Sequence, residues 1–212
     1  PSVPNNLPID FHVDESDEPE VRTLEYIAEK TIATGMHGQV TAGHCTSLAA
    51  VSDEIAERVI GKCAKAGLHI ITLPSCNLYL MGRKDKQPIR RGVTRVKDFL
   101  NAGVNIAYAS DNIRDPFRPY GNADMLEEGL LTAQVLQMGT PSELETVYQM
   151  GTYNPAKILG LKDYGTKVGC KADLVLLEAS SPSEAIISQA TKAYVIKNGK
   201  PVAKTIKEQI LL

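Results

Sequence analysis

Tryptophan is absent from this 212-residue chain, and three phenylalanines and eight tyrosines complete its aromatic set. So thin a supply argues against a platform that stacks nucleic-acid bases. Long runs of one charge are missing too. Lys and Arg number 23 against 25 Asp and Glu, a formal net charge of −2. Neither nucleic acid nor an acidic membrane surface is expected as a partner. No stretch is long and apolar enough to span a bilayer, and no signal peptide is recognisable. The four cysteines, Cys45, Cys63, Cys76 and Cys170, form no CxxC pair. They read as reduced thiols of a cytoplasmic protein. The HxE…PCxxC signature of small zinc nucleobase deaminases is also missing, which excludes that fold.

What is present is a repeated device. In Ile9-Asp10-Phe11-His12-Val13-Asp14-Glu15 an apolar run ends in a histidine, with a carboxylate three residues on. Val40-Thr41-Ala42-Gly43-His44 and Asn105-Ile106-Ala107-Tyr108-Ala109-Ser110-Asp111 repeat it: a short β-prone run, then a residue able to bind a metal or move a proton. Strands that deliver polar groups from their C-terminal ends are how a parallel β/α barrel builds an active site.

Read in order, the chain predicts strands at 7–13, 39–43, 68–73 and 105–110. Helices are expected from Glu18-Pro19 to Gly35, from Ser52 to about Ala66, from Thr94 to Ala102 and from about Asp124 to Met138. Shorter helices are expected near 142–150 and 154–160. The segment Pro74 to Gly92 reads as a long polar connection with Arg83, Lys84, Asp85, Lys86, Arg90 and Arg91. Strand and helix alternate four times, which predicts consecutive βα units and a parallel sheet with its loops on one face.

From Gly165 the texture changes. Strands are expected at 173–177, 193–196 and 201–203, with Asn198-Gly199 as a hairpin turn. The expected division is a barrel portion over 1–164 and strands of an accessory sheet over 165–212. The opening, Pro1 to Asn6, lacks a methionine and reads as the continuation of a longer polypeptide.

Several side chains are candidates for chemistry. His12 ends its strand, where a neutral imidazole can ligate zinc or iron, and Asp111 offers an oxygen ligand. Glu15 lies close beyond His12 and can carry protons between water and substrate. Asp17 and Glu18 read as helix-start acids. His37, beside a turn glycine, and His69, at a strand start, are assigned no role.

These motifs, taken together, resemble the amidohydrolase superfamily and, within it, the bacterial cytosine deaminase branch. The resemblance rests on His12-Val13-Asp14-Glu15, Gly43-His44, Arg90-Arg91-Gly92-Val93-Thr94-Arg95-Val96-Lys97, Ser110-Asp111-Asn112 with Asp115-Pro116-Phe117, and Gly121-Asn122-Ala123-Asp124-Met125. Asn154-Pro155-Ala156-Lys157-Ile158-Leu159-Gly160 and Gly169-Cys170-Lys171-Ala172-Asp173-Leu174-Val175 resemble its C-terminal pattern.

The resemblance implies strands five to eight of a metal-dependent (β/α)8 TIM barrel, followed by strands of a small β-sandwich. It makes His12 and Asp111 ligands of one divalent metal ion, zinc or iron, and Glu15, His44 and Asp111 catalytic. Asn112 and Phe117 would contact the substrate, with Phe117 against its ring. The implied reaction is hydrolytic deamination of cytosine or a related aminated N-heterocycle, with ammonia released. Asn112 stands where cytosine deaminases carry a second aspartate, so a triazine-type (alkyl)amine amidohydrolase is the alternative. The family's HxH pair and first four strands are not in these residues. A missing N-terminal half of the barrel is therefore expected as partner, the assembly is expected to be a homo-oligomer, and a non-catalytic fragment or assembly piece is the third reading.

Overall fold

The computed structural model describes residues 7–211; the opening Pro1 to Asn6 lies outside them. Strands β1 (Ile9–Val13), β2 (Val40–His44), β3 (His69–Thr72) and β4 (Asn105–Tyr108) form one parallel sheet in sequence order. Its register sets His12 beside Gly43 and Val13 beside His44. Parallel neighbours need crossovers, and helices supply them: α1 (Thr23–Thr34), α2 (Asp53–Ala66), and α3 (Pro74–Leu80) with α4 (Val96–Asn101). Helices α5 (Met125–Val135), α6 (Pro141–Met150) and α7 (Tyr153–Ile158) follow β4. The core lies between sheet and helices, where Leu24, Val59, Ile70, Phe99, Ile106 and Val147 are buried. All of β2 is buried, whereas Asp10, Phe11 and His12 of β1 are exposed. The sheet is open, with β1 and β4 as its edges, as four consecutive βα units would be.

Local chemistry explains the helix ends. Gly35 (φ 68°) and Gly67 (φ 64°) close α1 and α2 in the left-handed region, where glycine carries no Cβ penalty. Thr140 and Glu143 form a reciprocal capping box at the start of α6.

Four expectations need correction. Helix α1 starts at Thr23, not at Pro19, because the Asp14 carboxylate accepts from Thr23 N (3.0 Å) and Leu24 N (2.8 Å) and fixes the start there. Asp17 is thus no helix-start acid; its carboxylate accepts from Gly82 N at 2.8 Å. The stretch after β3 is not all loop: α3 begins at Pro74, whose fixed φ suits a first helical position. Helices α4 and α5 are shorter than expected, and α5 stops at Val135, three residues short of Met138.

Strands β5 (Leu174–Leu177), β6 (Lys192–Lys197) and β7 (Lys200–Lys204) make a separate antiparallel sheet. Asn198 (φ 50°) and Gly199 (φ 74°) both take positive φ, as a tight hairpin of this handedness requires. Helix α8 (Pro182–Ile187) was not expected; it buries Ala185 and Ile186 in the main core. Among the described residues no helix is long and apolar enough to cross a membrane.

Candidate active site

The C-terminal ends of β1, β2 and β4 meet. His12 Nε2 lies 3.0 Å from Glu15 Oε2, and the His12 and His44 rings are 4.2 Å apart at their centres. His44 Nδ1 is 3.4 Å from Glu15 Oε1, and His44 Nε2 is 3.6 Å from Asp111 Oδ2. The four side chains suspected from the sequence therefore form one cluster. Two threesomes of donor groups converge there, His12–Glu15–His44 and Glu15–Cys76–Asp111.

The backbone is bent to present them. His44 (φ 68°) and Asp111 (φ 61°) occupy the left-handed region without being glycine, as do Asp14 (φ 53°) and Cys45 (φ 54°). Each such residue costs on the order of 1–3 kcal/mol, and such strain gathers at functional sites. Local bonds hold the bend. Thr46 Oγ1 donates to Asp14 O (3.1 Å) and accepts from Ser16 N (2.9 Å), tying the loop after β1 to the turn after β2. Arg95 donates to Leu48 O (2.8 Å), Val51 O (2.9 Å) and Asp53 Oδ1 (2.6 Å), fixing the same turn from below.

Burial differs sharply across the cluster. His44 is buried, while the His12 side chain is 68% exposed at the mouth of the sheet. Burial pushes the His44 imidazole pKa down, against the pull of the Glu15 and Asp111 carboxylates. Buried Cys76 is pushed up to about 12 and is a thiol at neutral pH.

The loop 111–122 carries the two residues expected at the substrate. Asn112 Nδ2 donates to Asp115, and Cys76 Sγ lies 3.7 Å from Asn112 Oδ1. Phe117 is exposed. A buried ion pair, Arg118 Nη2 to Glu128 Oε1 at 3.1 Å, pins this loop to α5, and Arg118 Nη1 donates to Asn112 O (3.0 Å). The loop after α3 is pinned as well: Arg90 pairs with Asp85 (2.8 Å) and donates to Asp17 O (2.8 Å).

His37 and His69 lie elsewhere. His37 Nδ1 is 3.1 Å from Ala66 O, and His69 bridges Gly38 O and Asn105. Both are fastened to backbone carbonyls away from the cluster, His69 buried and His37 exposed. Two site residues escaped the sequence reading, Cys76 and Asn77. Asn77 is buried, and its Nδ2 lies 3.1 Å from Glu15 Oε1 and 3.0 Å from His44 Nδ1. The available signal was Pro74: a proline just after a strand can open a helix, and Asn77 lies one turn along it.

The donor set suits a divalent ion such as zinc or iron, since imidazole nitrogen and carboxylate oxygen are its usual ligands. His12 and Asp111, the two ligands the resemblance implies, fall one in each threesome, and two such donors would be one short of the three protein ligands of known catalytic zinc sites.

A model of the amidohydrolase family matches residues 3–203. The chain is 42% identical to the pterin deaminase of Rhizobium rhizogenes over 204 residues, covering 95% of this chain and 46% of that protein. It is 36% identical over 200 residues to the N-isopropylammelide isopropyl amidohydrolase of Pseudomonas sp. strain ADP, covering 94% and 46%. Its fold superimposes on the 5-methylcytosine deaminase of Klebsiella pneumoniae, crystallised with 5-fluorocytosine, with a TM-score of 0.95 and 32% identity, covering 100% of this chain and 51% of that one. The chain spans about half the length of the curated relatives it matches.

Proposed function

Because this chain belongs to the amidohydrolase family, we propose that the protein carrying it hydrolytically deaminates an aminated N-heterocycle of the cytosine, 5-methylcytosine or pterin kind. The observation that carries this reading is the meeting of His12, Glu15, His44 and Asp111 at the C-terminal edge of one parallel sheet. His12 and Asp111 would hold a zinc or iron ion, with its remaining ligands coming from the rest of the protein. Such an ion supplies Lewis acidity, bringing the pKa of water toward ~7.

The chain's own residues handle protons and position. Asp111 and His44 orient the attacking water, and Glu15 lies within hydrogen-bonding range of His12 and Asn77. Water adds to the amine-bearing ring carbon. Glu15 takes a proton from the attacking water and passes it to the adjacent ring nitrogen, then takes the hydroxyl proton of the tetrahedral carbon and passes it to the departing amine, so that the C–N bond breaks, ammonia leaves and a carbonyl remains. Asn112 and Phe117 contact the ring, and the segment from Pro74 to Gly92 covers the site and limits water.

The similarity to the N-isopropylammelide enzyme supports a second reading, removal of an alkylamine from a triazine ring. A substrate panel separates the two. The zinc- or iron-loaded protein is assayed for ammonia and alkylamine release from cytosine, 5-methylcytosine, isocytosine, a pterin and N-isopropylammelide. Ammonia release from an aminated ring supports deamination. Alkylamine release alone supports the second reading. A metal-loaded protein that turns over none of them overturns both and leaves a non-catalytic assembly piece.

A further inference from the structure

Asn77 is fully buried on α3, yet its Oδ1 meets no hydrogen-bond partner among the described residues. A buried orphan acceptor costs stability, and an apolar side chain of similar size would avoid the cost. What the fold gains lies on the other side of the amide. Nδ2 stands 3.1 Å from Glu15 Oε1 and 3.0 Å from His44 Nδ1. The carboxylate only accepts, so the NH2 group and not the carbonyl must face Glu15. The same NH2 group straddles Glu15 Oε1 and His44 Nδ1, which makes Nδ1 an acceptor when one amide serves both. A neutral imidazole that accepts at Nδ1 carries its hydrogen at Nε2, and Nε2 is the atom 3.6 Å from Asp111 Oδ2.

We propose that Asn77 is a positioning residue that selects the Nε2–H tautomer of His44 and holds Glu15 in place, through one amide group shared between them. The inference rests on the proposed site in making these two side chains the ones that matter. The donor runs from Asn77 to both groups, and His44 hands the polarity on to Asp111. Loss of the amide reverses it: with no donor at Nδ1, the ring hydrogen moves there and donates to Glu15 Oε1, 3.4 Å away. The chain contains a comparison of its own. Asn105 Nδ2 donates to His69 Nδ1 at 3.1 Å, and His69 Nε2 faces the carbonyl of Gly38 at 3.3 Å, which fixes the same tautomer away from the site.

The test is ring-nitrogen NMR of 15N-histidine-labelled protein without added metal at pH ~8, above the ordinary histidine range. It reads no turnover, so its failure is separate from failure of the deaminase reading. The wild-type protein is expected to show His44 as Nε2–H, like His69. In Asn77→Leu the hydrogen is expected at Nδ1, with His69 unchanged and the melting temperature held or raised, because the orphan oxygen is gone. Asn77→Asp gives a second readout should the leucine variant not fold, since a carboxylate there also accepts from Nδ1–H. Nδ1–H in the wild type, or His44 still Nε2–H in the folded variant, overturns the proposal.

Discussion

The Asp14 carboxylate grips the start of helix α1 at Leu24, whose backbone N–H lies 2.8 Å from Oδ2. Asp14 sits between His12 and Glu15 in sequence, yet it faces the other way. Its neighbours project toward the site because it is anchored to the helix. Removing such a cap costs about 0.5–2 kcal/mol. Asp14→Ala is expected to lose about that much in urea unfolding, with Asp14→Asn losing less, since asparagine also caps and also tolerates the positive φ seen here. An alanine variant as stable as wild type would remove the anchoring role.

The buried pair Arg118–Glu128 should be costly to halve. Both side chains are about 95% buried (5% and 4% exposed). Breaking such a pair strands a charge at about 3–5 kcal/mol, whereas replacing both partners with apolar residues is often neutral. Arg118→Met is expected to fall in that range by denaturant midpoint, and Arg118→Met with Glu128→Leu to recover most of it. A double variant no better than the single would show that the loop depends on the arginine's bonds to Asn112 and not on charge balance.

Acid should loosen the α1–α2 contact first through Glu25. Hydrogen bonds from Arg58 and Lys62 hold its carboxyl at about 2, below the ordinary 4.5. A depressed carboxyl contributes stability above its unfolded pKa and loses it as pH falls through the folded one. The contribution is therefore present above pH 4.5 and fades toward pH 2. Glu25→Gln is expected to flatten the acid limb of a stability-against-pH curve between those values and to leave its shape near neutrality unchanged. An unchanged acid limb would contradict the assignment.

The parallel sheet was legible because each strand is a short β-prone run closed by turn residues, and the helices between them repeat their apolar positions at helical spacing. His12, His44 and Asp111 were legible because strand ends are where such a sheet presents side chains. Asn77 was not. It lies in the mostly apolar run Leu73-Pro74-Ser75-Cys76-Asn77-Leu78-Tyr79-Leu80-Met81, where a single amide gives no sign of its role, and only tertiary contact reveals which of its neighbours it touches. The start of α1 was missed for a related reason: its cap, Asp14, lies nine residues before Thr23, outside the local window in which capping residues are sought. Asp17 looked like a helix-start acid in that same window, yet its partner is Gly82, 65 residues away.

In the proposed reaction Glu15 moves protons at the mouth formed by His12, His44 and Asp111. Glu15→Gln keeps the side chain's shape and its neighbours but removes the titrating oxygen. The decisive measurement is kcat on the preferred aminated substrate together with bound metal per chain. Metal content is expected to be unchanged and kcat lower by about 10²–10⁴-fold, the usual worth of a positioned acid–base group. A variant that binds metal normally and turns over within a few-fold of wild type would contradict it.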